Sequence, residues 1–301
     1  MNEKAFQGTG TALITPFKAD GLVDEKALRR LVDFQIAGGV EMILPCGTTG
    51  EGATLDENET DRVAQIVIEQ ANRRALIIVG AGSNSTAKAI HGTKRARKLG
   101  ADGVLSVGPY YNKPTQQGYF EHFKAIAESE DIPIVVYNVP GRTAGNIEAK
   151  TILRLAETPN IVAVKESSGN LSQIMDVIRD RPAHFRVLAG DDWIALAALA
   201  LGADGVVSVV SNQTPGMMHA MIEAAMEGNL AKARELHYKL LPLMNINFIE
   251  SNPIPVKAAL AMMGMIEESY RLPLVRMSPA NREKVAKVVE EMGLVQTVGK
   301  T

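Results

Sequence analysis

Short apolar runs recur along the chain, and between them hydrophobic positions return every three or four residues over helix-length stretches. The runs fall at 12–15, 42–46, 76–81, 103–107, 134–137, 161–165, 186–189 and 205–209. Runs this short, rich in branched residues and stopped by glycine or polar residues, predict strands buried on both faces. The amphipathic stretches predict helices near 24–38, 56–73, 86–99, 116–129, 147–157, 170–180, 191–202 and 215–227. Eight strand–helix repeats without a hairpin signal imply parallel strands joined by helical crossovers. Their number and the chain length predict an α/β fold, a closed (β/α)8 TIM barrel. An open doubly wound sheet is the alternative, because periodicity cannot distinguish a closed sheet from an open one. Three more helices are expected near 229–245, 253–265 and 279–292, with the turn-rich Glu250-Ser251-Asn252-Pro253-Ile254-Pro255 between the first two. The expected division is a catalytic barrel over 1–228 and a small helical C-terminal domain over 229–301.

Polar residues gather where the predicted strands end, which is the end that carries chemistry in a barrel. They are Thr15, the segment Gly47-Thr48-Thr49-Gly50-Glu51, Gly80 and Gly82, Tyr110 and Tyr111, Tyr137 and Asn138, Lys165 and Glu166, Gly190 and Asp191, and Ser208. Lys165 closes the apolar run Ile161-Val162-Ala163-Val164. Taken alone it would be a lysine that snorkels to solvent. A partly desolvated amine, however, is the nucleophile that Schiff-base chemistry on a carbonyl needs. Side chains alternate along a strand, so Tyr137 should share a face with Val135, and Lys165 with Ala163 and Ile161. If both faces point inward, a phenol and an amine meet at the barrel mouth. The Gly47–Glu51 segment places two hydroxyls and several backbone N–H groups on a tight turn, a cradle for a small carboxylate. The helix behind it opens with Thr54-Leu55-Asp56-Glu57, a capping-box pattern.

Composition narrows the reading by exclusion. The 301 residues are 46% hydrophobic and 22% charged with a formal net charge of −2. That is globular composition without the basic footprint of a nucleic-acid binder. A single cysteine, Cys46, fits a reducing compartment and, within Met42-Ile43-Leu44-Pro45-Cys46, a small buried hydrophobe. No basic-then-apolar start and no run of about 20 apolar residues is present, so neither a signal peptide nor a membrane span is expected, and a cytoplasmic location is the default. Gly8-Thr9-Gly10 is not a dinucleotide fingerprint, no phosphate loop occurs, and the five histidines lack ligand spacing. The expectation is an enzyme with no cofactor and no metal.

The motifs Gly47-Thr48-Thr49-Gly50-Glu51, Tyr110-Tyr111-Asn112-Lys113-Pro114, Tyr137-Asn138-Val139-Pro140-Gly141-Arg142-Thr143 and Val164-Lys165-Glu166 stand in a telling order and spacing. So does Asn252-Pro253-Ile254-Pro255-Val256-Lys257 in the tail. Together they resemble the dihydrodipicolinate synthase family of the pyruvate-dependent class I aldolase and N-acetylneuraminate lyase superfamily. The resemblance implies a lyase that condenses pyruvate with L-aspartate 4-semialdehyde in lysine (diaminopimelate) biosynthesis. It implies Lys165 as the imine-forming lysine, Tyr137 beside it, and Thr49 and Tyr111 as proton-relay partners. It implies Thr48 and Thr49 as binders of the pyruvate carboxylate and Arg142 as the group holding the semialdehyde's carboxylate. Gly190 and Val207 are implied to present backbone carbonyls near the imine. It further implies a homo-oligomer, a dimer of dimers, in which Tyr111 enters the neighbouring subunit's site. The competing expectations are an aldolase cleaving a sugar acid through the same imine, a non-catalytic pyruvate-sensing barrel and a phosphate-binding isomerase. Arg142 favours the synthase over the first, since a guanidinium forks onto a carboxylate.

Overall fold

In the computed structural model, residues 6–295 are described; the outer ends of the two expected domains, 1–5 and 296–301, lie outside them. Eight parallel strands close a barrel in chain order: β1 (Gly8–Ala12), β2 (Met42–Leu44), β3 (Leu76–Gly80), β4 (Gly103–Val107), β5 (Ile134–Asn138), β6 (Ile161–Glu166), β7 (Arg186–Ala189) and β8 (Gly205–Ser208). Pairing of β8 with β1, Gly8 through Thr11 against Gly205 through Ser208, shuts the sheet and excludes the open alternative. The intervening helices are α1 (Glu25–Ala37), α2 (Glu57–Ala71), α3 (Thr86–Leu99), α4 (Gln116–Ser129), the short α5 (Pro140–Thr143), α6 (Ala149–Ala156), α7 (Leu171–Asp180), α8 (Ala195–Ala200) and α9 (Pro215–Met226). The tail carries α10 (Leu230–Ile246), α11 (Ile254–Met262) and α12 (Pro279–Glu291).

Three local expectations are corrected. The first strand is Gly8–Ala12, ahead of the expected 12–15. Its small residues pack where bulk would not fit, since a Cβ on Gly10 would press on the Val206 carbonyl at 3.1 Å. The hydroxyl of Thr11, fully buried, instead reaches outward to donate to Gln35 Oε1 at 2.7 Å. The predicted 191–202 helix is a 3-10 turn (Asp192–Ile194) followed by α8. The capping box of α2 is built two residues later than expected, with Asp56 as N-cap and Glu59 reaching back to its N–H.

Two apolar layers result. Inside the barrel, Ala12, Met42, Leu44, Ile78, Leu105, Val135, Ala163, Leu188 and Val207 form one cluster, with Phe6 packed at its N-terminal end. A larger cluster fills the space between the strands and the helices and continues into α10 through Leu236, Leu240, Leu243 and Met244. Helices α11 and α12 build a smaller cluster from Ile254, Ala258, Ala259, Met277, Val285 and Val289. Burial of aliphatic side chains contributes about 1.5–3 kcal/mol each, so these layers dominate the stability of the scaffold that carries the mouth.

Candidate active site

The mouth is assembled from strand alternation. Tyr137 on β5 and Lys165 on β6 are register partners, as are Asn138 and Glu166 beyond them. Tyr137 belongs to the interior cluster together with Val135 and Ala163, so the expected inward faces are correct at those positions. Ile161 is the exception. The register slips between Ile134 and Val135, where Val135 pairs with Ala163 and Val162 is left over as a bulge. A bulge inverts the alternation, and Ile161 packs in the outer layer with Ile134.

Lys165 is 5% exposed, and its Nζ stands 4.2 Å from the centroid of the Tyr137 ring. The ring face attracts the ammonium and fixes where the long side chain ends. Gly190 stands just past β7, beside Lys165. A Cβ there would collide with Ser167 Oγ and lie 3.1 Å from Lys165 Cγ, so the glycine leaves room chiefly for the Ser167 hydroxyl. Val207 is fully buried on β8 within the interior cluster, beneath the mouth.

Behind the amine, on the outer side of β6, Glu166 is fully buried. Burial pushes its carboxyl above the usual range, and hydrogen bonds from Ser168, Asn138 and Gln173 oppose that rise. Asn138 Nδ2 donates to both of its oxygens at 3.1 and 3.0 Å, Gln173 Nε2 donates at 3.0 Å and Ser168 N at 2.7 Å. This network ties β5, β6 and α7 together directly behind the Tyr137–Lys165 pair. Asp191 sits at the mouth itself. Burial raises its pKa to about 6, against the pull of the Lys165 charge.

The loop after β2 is held from below and from the tail. Cys46 and Glu51 adopt left-handed backbone, at φ 60° and 52°, and Gly80 gives the Cys46 carbonyl room that any Cβ would occupy. Cys46 is buried, and desolvation pushes its thiol up to about 12, which suits the small-hydrophobe reading and not a nucleophile. Thr15 Oγ1 donates to the Gly50 carbonyl at 2.7 Å, so this residue braces the loop instead of lining a pocket. Thr49 is 3% exposed and its Oγ1 accepts from Asn252 Nδ2 at 2.9 Å, whereas Thr48 is exposed. Glu51 forms a buried ion pair with Lys257 on α11.

Arg142, on α5 at the rim, is exposed, and its Nη2 donates to the Asn252 carbonyl at 3.3 Å. Tyr111 is 90% exposed, with φ 72°. Sequence reasoning gave no role to Asn252, Asp191, or the Glu51–Lys257 pair. Asn252 and Asp191 were visible as turn and strand-end residues, but their partners lie far away in sequence.

Residues 5–292 match the model of the dihydrodipicolinate synthetase family. The chain belongs to that family. It is 54% identical over 291 residues to the 4-hydroxy-tetrahydrodipicolinate synthase of Koribacter versatilis (strain Ellin345), covering 96% of this chain and 97% of that one. The crystal structure of dihydrodipicolinate synthase from Aquifex aeolicus superposes with a TM-score of 0.94 at 48% identity, over 96% of this chain and 99% of that one. The chloride-inhibited enzyme from Acinetobacter baumannii, complexed with pyruvate, superposes with a TM-score of 0.95 at 43% identity, over 97% of this chain and 100% of that one.

Proposed function

We infer that this protein is a 4-hydroxy-tetrahydrodipicolinate synthase, a Schiff-base lyase that condenses pyruvate with L-aspartate 4-semialdehyde for lysine (diaminopimelate) biosynthesis. The observation that carries the reading is the buried amine of Lys165 lying over the Tyr137 ring at the mouth of a closed barrel. Lys165 Nζ adds to the ketone carbon of pyruvate, and loss of water leaves an iminium. Its positive charge acidifies the adjacent methyl group, loss of a proton gives an enamine, and the enamine carbon bonds to the aldehyde carbon. The amine of the semialdehyde then attacks the imine carbon, closes the ring and releases Lys165.

Phenols are weak bases near neutral pH, so Tyr137 serves as a shuttle between Lys165 and solvent rather than a proton store. Burial divides the threonine pair. Thr49 is enclosed and already bonded, which suits it to hold the pyruvate carboxylate. Thr48 is exposed, and we place it, in the position expected of Thr49, between Tyr137 and a Tyr111 from a second copy. Arg142 takes the carboxylate of the semialdehyde. The carbonyls of Gly190 and Val207 face the imine. The smallest complete unit is a homodimer, with a dimer of dimers as the full assembly. Among the described residues no helix is long and apolar enough to cross a membrane, and we place the enzyme in the cytoplasm.

The test is borohydride reduction in the presence of pyruvate followed by peptide mass mapping. The adduct is expected on Lys165 and should vanish in Lys165→Ala. An adduct on Lys113 or another lysine would overturn the assignment.

A further inference from the structure

Asn252 lies in the turn between α10 and α11 and is 6% exposed. Two contacts reach from it to opposite sides of the mouth. Its side-chain Nδ2 donates to Thr49 Oγ1 at 2.9 Å, and its backbone carbonyl accepts from Arg142 Nη2 at 3.3 Å. The turn is anchored one helical step on, where Lys257 N donates to the Pro253 carbonyl at 3.0 Å and the Lys257 ammonium pairs with Glu51. Glu51 follows Thr49 by two residues, so loop and turn are pinned to each other at both ends. A register slip that separated Asn252 from Thr49 would also have to break a fully buried ion pair.

A hydroxyl owns a single proton. While Thr49 Oγ1 accepts from Asn252 Nδ2, that proton is not spent on the Asn252 side chain and is left for another acceptor. We propose that Asn252 is a positioning residue for pyruvate: by donating to Thr49 it holds that hydroxyl as a hydrogen-bond donor to the pyruvate carboxylate. With an acceptor in place of the amide donor, Thr49 would turn its proton toward the tail and present lone pairs to an anion. The proposal rests on the assignment of Thr49 to the pyruvate carboxylate.

Asn252→Asp tests it, because it preserves shape and the backbone carbonyl while replacing the donor by an acceptor. The cycle comprises wild type, Asn252→Asp, Thr49→Val and the double variant, each with KM for both substrates and kcat. Asn252→Asp is expected to raise KM for pyruvate about tenfold or more at pH 8, which corresponds to about 1.4 kcal/mol. KM for the semialdehyde should stay within about twofold, since Arg142 keeps its carbonyl partner, whereas a general distortion of the mouth would move both. The pyruvate effect should shrink toward acid pH, where a protonated aspartic acid can again donate. In the Thr49→Val background the Asn252 substitution should add less than about twofold, because no hydroxyl is left to orient. If Thr49→Val leaves KM for pyruvate unchanged, the carboxylate assignment fails. If Thr49→Val raises it but Asn252→Asp has no effect, or has the same effect in both backgrounds, the proposal for Asn252 is wrong. Should Asn252→Asp lose the wild-type circular dichroism, Asn252→Leu removes the donor without adding charge and carries the same KM comparisons in both Thr49 backgrounds, with no change expected across pH.

Discussion

Asp191 stands within reach of the Lys165 charge yet has no part in the proposed reaction. Burial raises its pKa from 3.8 to about 6, so desolvation outweighs the attraction of the lysine. Between about pH 4 and 6 the folded chain therefore holds a proton that the unfolded chain has lost. Stability falls as pH rises through that window, and the cost is complete above it. Asp191→Asn removes a titrating group whose ionised form is penalised. Its melting temperature relative to wild type should rise across the window by about 4–5 °C, about 3 kcal/mol against an unfolding entropy of about 0.6 kcal/mol/K, and then stay level. A difference that does not change between acid and neutral pH would show Asp191 to be solvated. At this scale the sequence made Lys165 and Tyr137 legible, because alternation along two buried strands places their side chains without knowledge of anything distant. It could not show that Thr49 is buried and Thr48 exposed, since adjacent loop residues follow no period. Nor could it pair Asn252 with Thr49, because their bond depends on how the tail packs.

Elements were legible to within a few residues wherever the apolar period was strong, as at β4, β7, α4, α6 and α7. They were misread where it was not. β1 consists of glycine, threonine and alanine, and its strand character comes from neighbours that need small residues. The bulge at Val162 is invisible in composition, yet it decides which way Ile161 points. The junction between the β2 loop and α11 is also a tertiary product. Lys257 and Glu51 are both buried, and Lys257 stands 4.3 Å from the Phe17 ring centroid. Desolvation pushes the Lys257 ammonium below the usual lysine range, and the Glu51 charge opposes that shift. Lys257→Met would leave the Glu51 carboxylate enclosed without its cation, at a cost of about 3–5 kcal/mol. Adding Glu51→Gln should recover most of that loss, since the pair's desolvation penalty disappears with its charges. Urea unfolding of the two single variants and the double variant measures this. A double variant no more stable than Lys257→Met would mean that the lysine acts through packing alone.

At the scale of the whole molecule, the proposed homodimer turns on Tyr111. A large aromatic residue rarely takes left-handed backbone, and rarely stands 90% exposed. The loop beneath it is nonetheless well built: Asn84 Nδ2 donates to the Tyr110 carbonyl at 3.2 Å, Asn112 N donates to the same carbonyl at 2.9 Å, and Asn112 Nδ2 donates to the Asn84 carbonyl at 2.9 Å. A rigid loop that presents an uncovered phenol is the geometry expected of a group serving another chain's site. In a two-fold dimer each Tyr111 would complete the partner's relay beside the exposed Thr48, and the exchange would be reciprocal. Subunits carrying Tyr111→Phe retain Lys165, and subunits carrying Lys165→Ala retain Tyr111. Each parent dimer should be inactive or nearly so. In a hybrid, one site unites an intact lysine with an intact tyrosine from across the interface, while the other site lacks both. Random reassembly of equal amounts makes half of the dimers hybrid, with one competent site in two, so about one quarter of wild-type activity should return. Native mass spectrometry counts the hybrids, and an assay at saturating substrates reads the recovery. Hybrids formed in the expected proportion but without activity would mean that Tyr111 serves its own subunit, and that the dimer is not needed to complete the site.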